Sequence, residues 1–157
     1  MSIMLTAAAA AGILLGHGAS AQPTGPASTL FACALPGGKT VRVTARGDRI
    51  TYRFGTPRRP ELTIVGSAAD GNLFATTRLH GGPTYFTQLR FVSGEYSYVV
   101  HSIPRSRILD NRAYSGVMVF RNGRRIADHP CRRWTALSFA DITEMPEDRE
   151  GAPSASD

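Results

Sequence analysis

Two alternating runs separated by Gly47-Asp48 constrain this chain more than any other stretch. Val41, Val43 and Ala45 alternate with Thr40, Arg42, Thr44 and Arg46; Ile50, Tyr52 and Phe54 alternate with Arg49, Thr51 and Arg53. Alternation of period two marks a half-buried strand. A glycine at the first position of a two-residue loop suits a type II′ turn. That loop would pair Arg46 with Arg49, Ala45 with Ile50, Val43 with Tyr52 and Val41 with Phe54. The apolar faces then coincide, and a slip of one residue would turn one whole apolar set to solvent. The opposite face carries Arg42, Arg46, Arg49 and Arg53. Like charges set opposite each other destabilise a sheet. The face is therefore either a solvated surface of splayed arginines or an anion-binding stripe.

Gly55 ends the second run and opens a basic loop. Pro57 and Pro60 stiffen it, and neither can donate to a strand ladder. Arg58 and Arg59 stand between the two prolines, extending the candidate anion-binding set to six residues: Arg42, Arg46, Arg49, Arg53, Arg58 and Arg59. Glu61 then precedes the apolar run Leu62 to Val65, and a carboxylate there is suited to tying down the Arg58-Arg59 loop. The pattern Tyr52-x-Phe54-Gly55-x-Pro57-x-x-Pro60-Glu61-Leu62, with one cysteine upstream and another near the end, resembles a group of small exported bacterial β-proteins. The resemblance spans Phe31 to Cys131. It implies a small all-β domain and a structural role for Glu61, and it carries over no catalytic residue.

The rest of the chain reads as further short strands. Phe31 to Leu35 is a first strand, closed by Pro36-Gly37-Gly38. Asp70-Gly71 marks a turn, Leu73 to Leu79 another strand, and Gly81-Gly82-Pro83 its end. Tyr85 to Val92 and Glu95 to Ile103 form a hairpin around Ser93-Gly94, which would set Phe91 opposite Tyr96, Leu89 opposite Tyr98 and Phe86 opposite His101. A third hairpin turns at Asn122-Gly123, the strongest short turn signal present. It puts Val117, Val119 and Ile126 on one face and Met118, Phe120 and Ala127 on the other. The expectation is one antiparallel β-sandwich or small β-barrel of about seven to nine strands, with room for a short helix over 134–145.

The ends read differently. Ile3 to Leu15 is apolar, and Ala19-Ser20-Ala21 is a small-x-small cleavage pattern, so residues 1–21 are expected to be a signal peptide, although no Lys or Arg precedes the apolar run. Residues 22–29 read as a flexible lead, 30–140 as the β domain and 141–157 as a disordered acidic tail. Export implies a periplasmic or secreted protein. Two cysteines, Cys33 and Cys131, then favour a disulfide that closes nearly the whole domain. A lipid-anchored Cys33 is the rival reading, but Phe31 fits a lipobox poorly and a polar stretch separates it from the apolar run. A two-cysteine metal site lacks histidines nearby in the sequence.

Charge separates along the chain. From Gln22 to Ala140 there are 17 Lys plus Arg against 6 Asp plus Glu; from Asp141 onward one Arg faces 6 acids. Only Lys39 of the 18 basic residues is lysine. Arginine suits bidentate recognition of phosphate and carboxylate. The tail would compete for such a face if it folded back on it. No Gly-x-Ser-x-Gly, His-Glu-x-x-His, Cys-x-x-Cys or phosphate-binding glycine loop is present. His80, His101 and His129 are dispersed, and nothing in the spacing selects Glu61 and Glu95 as an acid-base pair. These features point to a non-enzymatic binding module without cofactor. Its partner would be anionic envelope material: lipopolysaccharide, acidic glycan or anionic lipid headgroups. Nucleic acid suits the charge, but in the expected compartment it is not expected as a natural partner. Alternatives are a secreted enzyme inhibitor, although the prominent loop is basic, and a hydrolase whose site is assembled only in the fold.

Overall fold

The structure, a computed structural model, describes residues 25–79, 85–138, 145–149 and 151–155. The expected signal peptide lies outside the described residues. The alternating runs form strands β2 (Thr40–Arg46) and β3 (Arg49–Gly55), paired from Arg46 with Arg49 through Val41 with Phe54, the register that the apolar faces require. Gly47 takes a φ of 57°, which the first residue of a type II′ turn needs and glycine reaches without steric cost. β1 (Ser28–Ala34) lies beside β2, and β4 (Pro60–Gly66) beside β3. A second antiparallel sheet holds β5 (Leu73–Leu79), β6 (Tyr85–Ser93), β7 (Tyr96–Ser106), β8 (Arg112–Arg121) and β9 (Arg124–Pro130), in chain order.

The two sheets pack face to face as an antiparallel sandwich, and they do not close into a barrel. Their inner faces follow from the alternation: Val41, Val43, Ile50, Tyr52 and Ile64 from the first sheet meet Leu73, Leu89, Phe91, Val100 and Val117 from the second. Tyr52 is the central contact, its ring centroid 5.5 Å from that of Phe91 and 5.6 Å from that of Tyr98. Burial raises its phenol pKa well above the ordinary value of 10. Both sides of the sandwich are closed. On one, β4 passes to β5 through a turn in which Ser67 Oγ donates to Asp70 Oδ2 at 2.7 Å and Asn72 Nδ2 donates to Val65 O at 3.0 Å. On the other, the chain after β9 crosses to β1: Cys131 is bonded to Cys33, Arg132 N–H donates to Ala34 O and Ser138 N–H to Leu30 O.

Several expectations need correction. The β6–β7 hairpin turns at Gly94-Glu95, so Phe91 faces Tyr98, Leu89 faces Val100 and His101 faces Gln88 rather than Phe86. Gly94 takes a φ of 59° at the first loop position, as Gly47 does; the two-residue shift keeps every face and moves only the partners. The third hairpin does turn at Asn122-Gly123, but a bulge between Val119 and Phe120 pairs Ala127 with Val119 and leaves Ile126 56% exposed. β1 starts at Ser28, inside the stretch read as a flexible lead. Trp134 to Ser138 is irregular rather than helical, and 139–144 lie outside the described residues. Nor are residues 145–149 and 151–155 a disordered tail: Pro146 and Asp148 bond to Ala75 on the free edge of β5, and Ser154 and Ala155 bond to Gln88.

The disulfide joins residues 98 positions apart. Constraining a loop of that length in the unfolded chain stabilises the fold, and its removal typically costs about 2–5 kcal/mol. Replacing Cys33 and Cys131 together by Ala is expected to lower stability by that amount in urea unfolding. A loss below about 1 kcal/mol would mean that backbone hydrogen bonds alone hold 131–138 on β1.

Candidate anion-binding site

Because the apolar residues of β2 and β3 point inward, the arginines between them point outward. Arg42 pairs with Arg53 and Arg46 with Arg49, so all four share the outer face of the first sheet, and all are exposed. Directly opposed side chains start about 4.5–5.5 Å apart. The two arginine pairs are four residues apart along the strands, roughly 13 Å at strand rise. Thr44 and Thr51 lie between them.

One pair lies in a groove of about 500 Å³. Its floor crosses the sheet from Ala32 on β1 through Arg42 and Arg53 to Thr63 on β4, a single cross-strand row. Ala34 and Thr40 widen it, and Thr56, Pro57 and Pro60 form the wall. Small side chains on both flanks give the two guanidinium groups room. Arg46 and Arg49 do not line this groove; they stand at the far end of the hairpin beside its turn. Arg58 and Arg59 sit exposed between the two lining prolines.

The loop is held by Thr56. Its N–H donates to Arg59 O at 3.0 Å, and Arg59 N–H donates to Thr56 O and Oγ1 at 3.2 and 3.1 Å. Gly55 permits this reversal: its φ is 146°, and a Cβ there would stand 2.6 Å from both Arg59 O and Glu61 N. Glu61 does not tie down Arg58 or Arg59; it forms an ion pair with Lys39. Among the described residues, Arg42, Arg46, Arg49, Arg53, Arg58 and Arg59 have no ion-pair partner. Among the described residues, the groove is thus a positive site without a carboxylate in its lining.

The dispersed titratable groups do not assemble into a centre. His101 lies on the outer face of the second sheet, whereas His129 faces inward, its ring tilted against that of Phe54 with centroids 5.9 Å apart; His80 lies outside the described residues. Glu61 is engaged with Lys39 on the first sheet and Glu95 with Arg121 on the second. Among the described residues, no three His, Cys, Asp or Glu side chains are grouped to hold a metal.

A second constellation was not legible in the sequence. Arg90 is 4% exposed, and its Nε donates to Asp148 Oδ2 at 2.8 Å. Its guanidinium lies 4.5 Å from the Phe74 ring centroid. The alternation of β6 puts Gln88 and Arg90 on its outer face, but only the fold brings Asp148 to them across 58 residues. This carboxylate is therefore on the side of the sandwich opposite the arginine stripe and does not compete for it.

The chain matches no family model, no curated protein and no solved structure.

Gly55→Ala is expected to cost about 1–3 kcal/mol, because a side chain cannot hold this conformation without displacing the loop backbone; urea unfolding measures it. His101 provides a pH prediction. Burial lowers its pKa below the ordinary 6.5, against the pull of Asp128. The unfolded chain therefore takes up the proton first, and the contribution of neutral His101 is complete above about pH 6.5 and declines as pH falls below it. His101→Gln is expected to flatten that part of the stability-pH curve.

Proposed function

We propose that this protein is a non-enzymatic binding module for anionic envelope material, acting in the periplasm or after secretion, with the Arg42–Arg53 groove as its site. The observation that carries the reading is that two opposed arginines line a groove and have no carboxylate partner among the described residues. Like charges set opposite each other on a sheet raise its free energy, and an anion placed between them removes that cost while accepting bidentate hydrogen bonds. Arg58 and Arg59 add positive potential at the wall, and Arg46 and Arg49 extend it along the sheet. A headgroup phosphate or a sugar carboxylate has the charge and the size for the groove. The flanking Ala32, Ala34, Thr40 and Thr63 leave room for such a group, and the ring of Phe54, the aromatic residue of the lining, is turned inward against His129, so charge and fork geometry would select the ligand.

Flotation with vesicles containing anionic lipid, and with lipopolysaccharide, tests the reading. Binding is expected to fall by at least about tenfold between about 10 mM and 150 mM salt, as the screening length drops from roughly 30 to 8 Å. Replacing Arg42 and Arg53 by Gln is expected to remove about 2 kcal/mol, near thirtyfold, at about 1 kcal/mol per arginine at an anionic surface. The same double variant should unfold at equal or higher urea in the absence of anions. Asp148→Asn should leave the groove affinity unchanged, because its carboxylate is engaged on the other sheet. Binding that ignores salt, or a double variant that binds like the parent, would leave the groove without a role.

A further inference from the structure

Among the described residues, the outer face of the second sheet is covered where that of the first is bare, and the cover is the C-terminal part of the same chain. Three kinds of contact hold it. Ala75 on the edge strand β5 donates its N–H to Pro146 O at 3.0 Å and accepts from Asp148 N–H at 3.3 Å, a parallel bridge centred on Glu147. Arg90 grips the Asp148 carboxylate, its position set by the Phe74 ring on which it lies and by Ser97 Oγ at 3.4 Å. Further along, Gln88 Oε1 accepts from Ala155 N–H at 3.0 Å and from the Ser154 hydroxyl at 3.2 Å. Ala155 also packs on the small apolar cluster of Val99, Met118 and Phe120. A main-chain bridge at a sheet edge combined with side-chain sites on the adjoining face is one way β-proteins recognise peptides.

The cover does not complete the face beneath it. Thr76, Gln88 and His101 form one cross-strand row, and Thr76 and His101 are 3% and 4% exposed. Among the described residues, Thr76 Oγ1 and His101 Nδ1 nonetheless have no hydrogen-bond partner. Buried polar atoms are nearly always paired, and leaving them unpaired is costly. The face therefore offers more recognition groups than the segment uses, and they flank the one residue, Gln88, that the segment does engage.

We propose that the outer face of the second sheet, from the β5 edge to β8, is a binding site for an acidic segment of another polypeptide that bridges the edge and then turns across the face, and that residues 146–149 and 151–155, which turn where Ala152 N–H donates to Arg149 O, occupy it as a replaceable stand-in. The site states the chemistry of its ligand. A carboxylate meets Arg90. A backbone N–H seven residues further on meets Gln88, preceded by a hydroxyl-bearing residue and accompanied by a small side chain over Val99 and Phe120. Polar groups facing Thr76 and His101, which the stand-in does not supply, would favour the incoming segment over it. Tethering gives the stand-in a high effective concentration, so a partner must either carry those extra groups or meet a weakened stand-in. This site is separate from the arginine groove and does not depend on the reading of it.

The test uses the full chain and a fluorescent peptide with the sequence of residues 145–155. Asp148→Asn in the full chain weakens the stand-in with little change of shape. The peptide, which keeps its aspartate, is expected to bind this variant at least about tenfold more tightly than the parent chain. A peptide carrying asparagine at that position is expected to bind neither. No binding to the variant, or equal binding of both peptides, would overturn the proposal and make the segment a permanent part of the fold. Hydrogen exchange on the unaltered chain decides the matter even if the variant does not fold. The amides of Asp148 and Ala155 are expected to exchange by local opening, at least about a hundredfold faster than that of Val92, which bonds to Asn72 O. Exchange of all three at one rate would overturn the proposal as well.

Discussion

The burial of Tyr52 between the two sheets is the contact on which the rest of the arrangement depends. An aromatic ring of this size removes about 150–250 Å² from water, and it meets Phe91 and Tyr98 of the facing sheet. Because residues along a strand alternate between faces, placing Tyr52 inward places Arg53 outward, and pairing with Val43 places Arg42 beside Arg53. The cationic face is thus a consequence of core packing. A slip of one residue on either strand would bury an unpaired arginine or expose the ring, so the positive charge is anchored as firmly as the core itself.

The two outer faces have opposite characters for a reason visible in their residues. On the first sheet the outward positions are mostly threonine, alanine and arginine, with Val65 at the β4 edge the large apolar side chain exposed there. On the second, Val99, Met118 and Phe120 point away from the main core and form a cluster of their own. Such a surface needs a cover, and the C-terminal segment provides one. Arg90 lies under it as a buried charge, tolerable because Asp148 meets it with two oxygens and Phe74 lies against its plane. Among the described residues, no segment therefore covers the first face, and the second is engaged from within the chain.

What could be read from residues alone was whatever local alternation decides. The β2–β3 register, the Asn122-Gly123 turn, the disulfide partners and the outward arginines all follow from period-two patterning, turn chemistry or cysteine count. The errors arose where two solutions were locally equivalent. Moving the β6–β7 turn by one residue shifts the pairing by two and keeps every face, so only the glycine position within the loop separates the two registers. The bulge at Val119 and Phe120 inserts one residue and inverts the pattern beyond it, which alternation cannot foresee. Glu61 stands near Arg58 and Arg59 in the sequence but pairs with Lys39, because the strand pairing of β2 with β3 and β3 with β4 brings that lysine close. The acidic C-terminal segment has the composition of disorder. Its docking depends on one carboxylate finding Arg90, a long-range event without a local signal.

The strand order of the two sheets carries a consequence for how the chain assembles. Each sheet is an uninterrupted meander: every paired strand is paired with its neighbour in sequence, and no strand crosses from one sheet to the other. Each sheet therefore closes only short loops as it forms, which keeps the entropy cost of each pairing low. The cysteines behave differently. Cys33 belongs to the first strand of one meander, and Cys131 follows the last strand of the other. They can meet in their native arrangement only after both meanders have formed and docked, so the disulfide records the completion of folding rather than directing it.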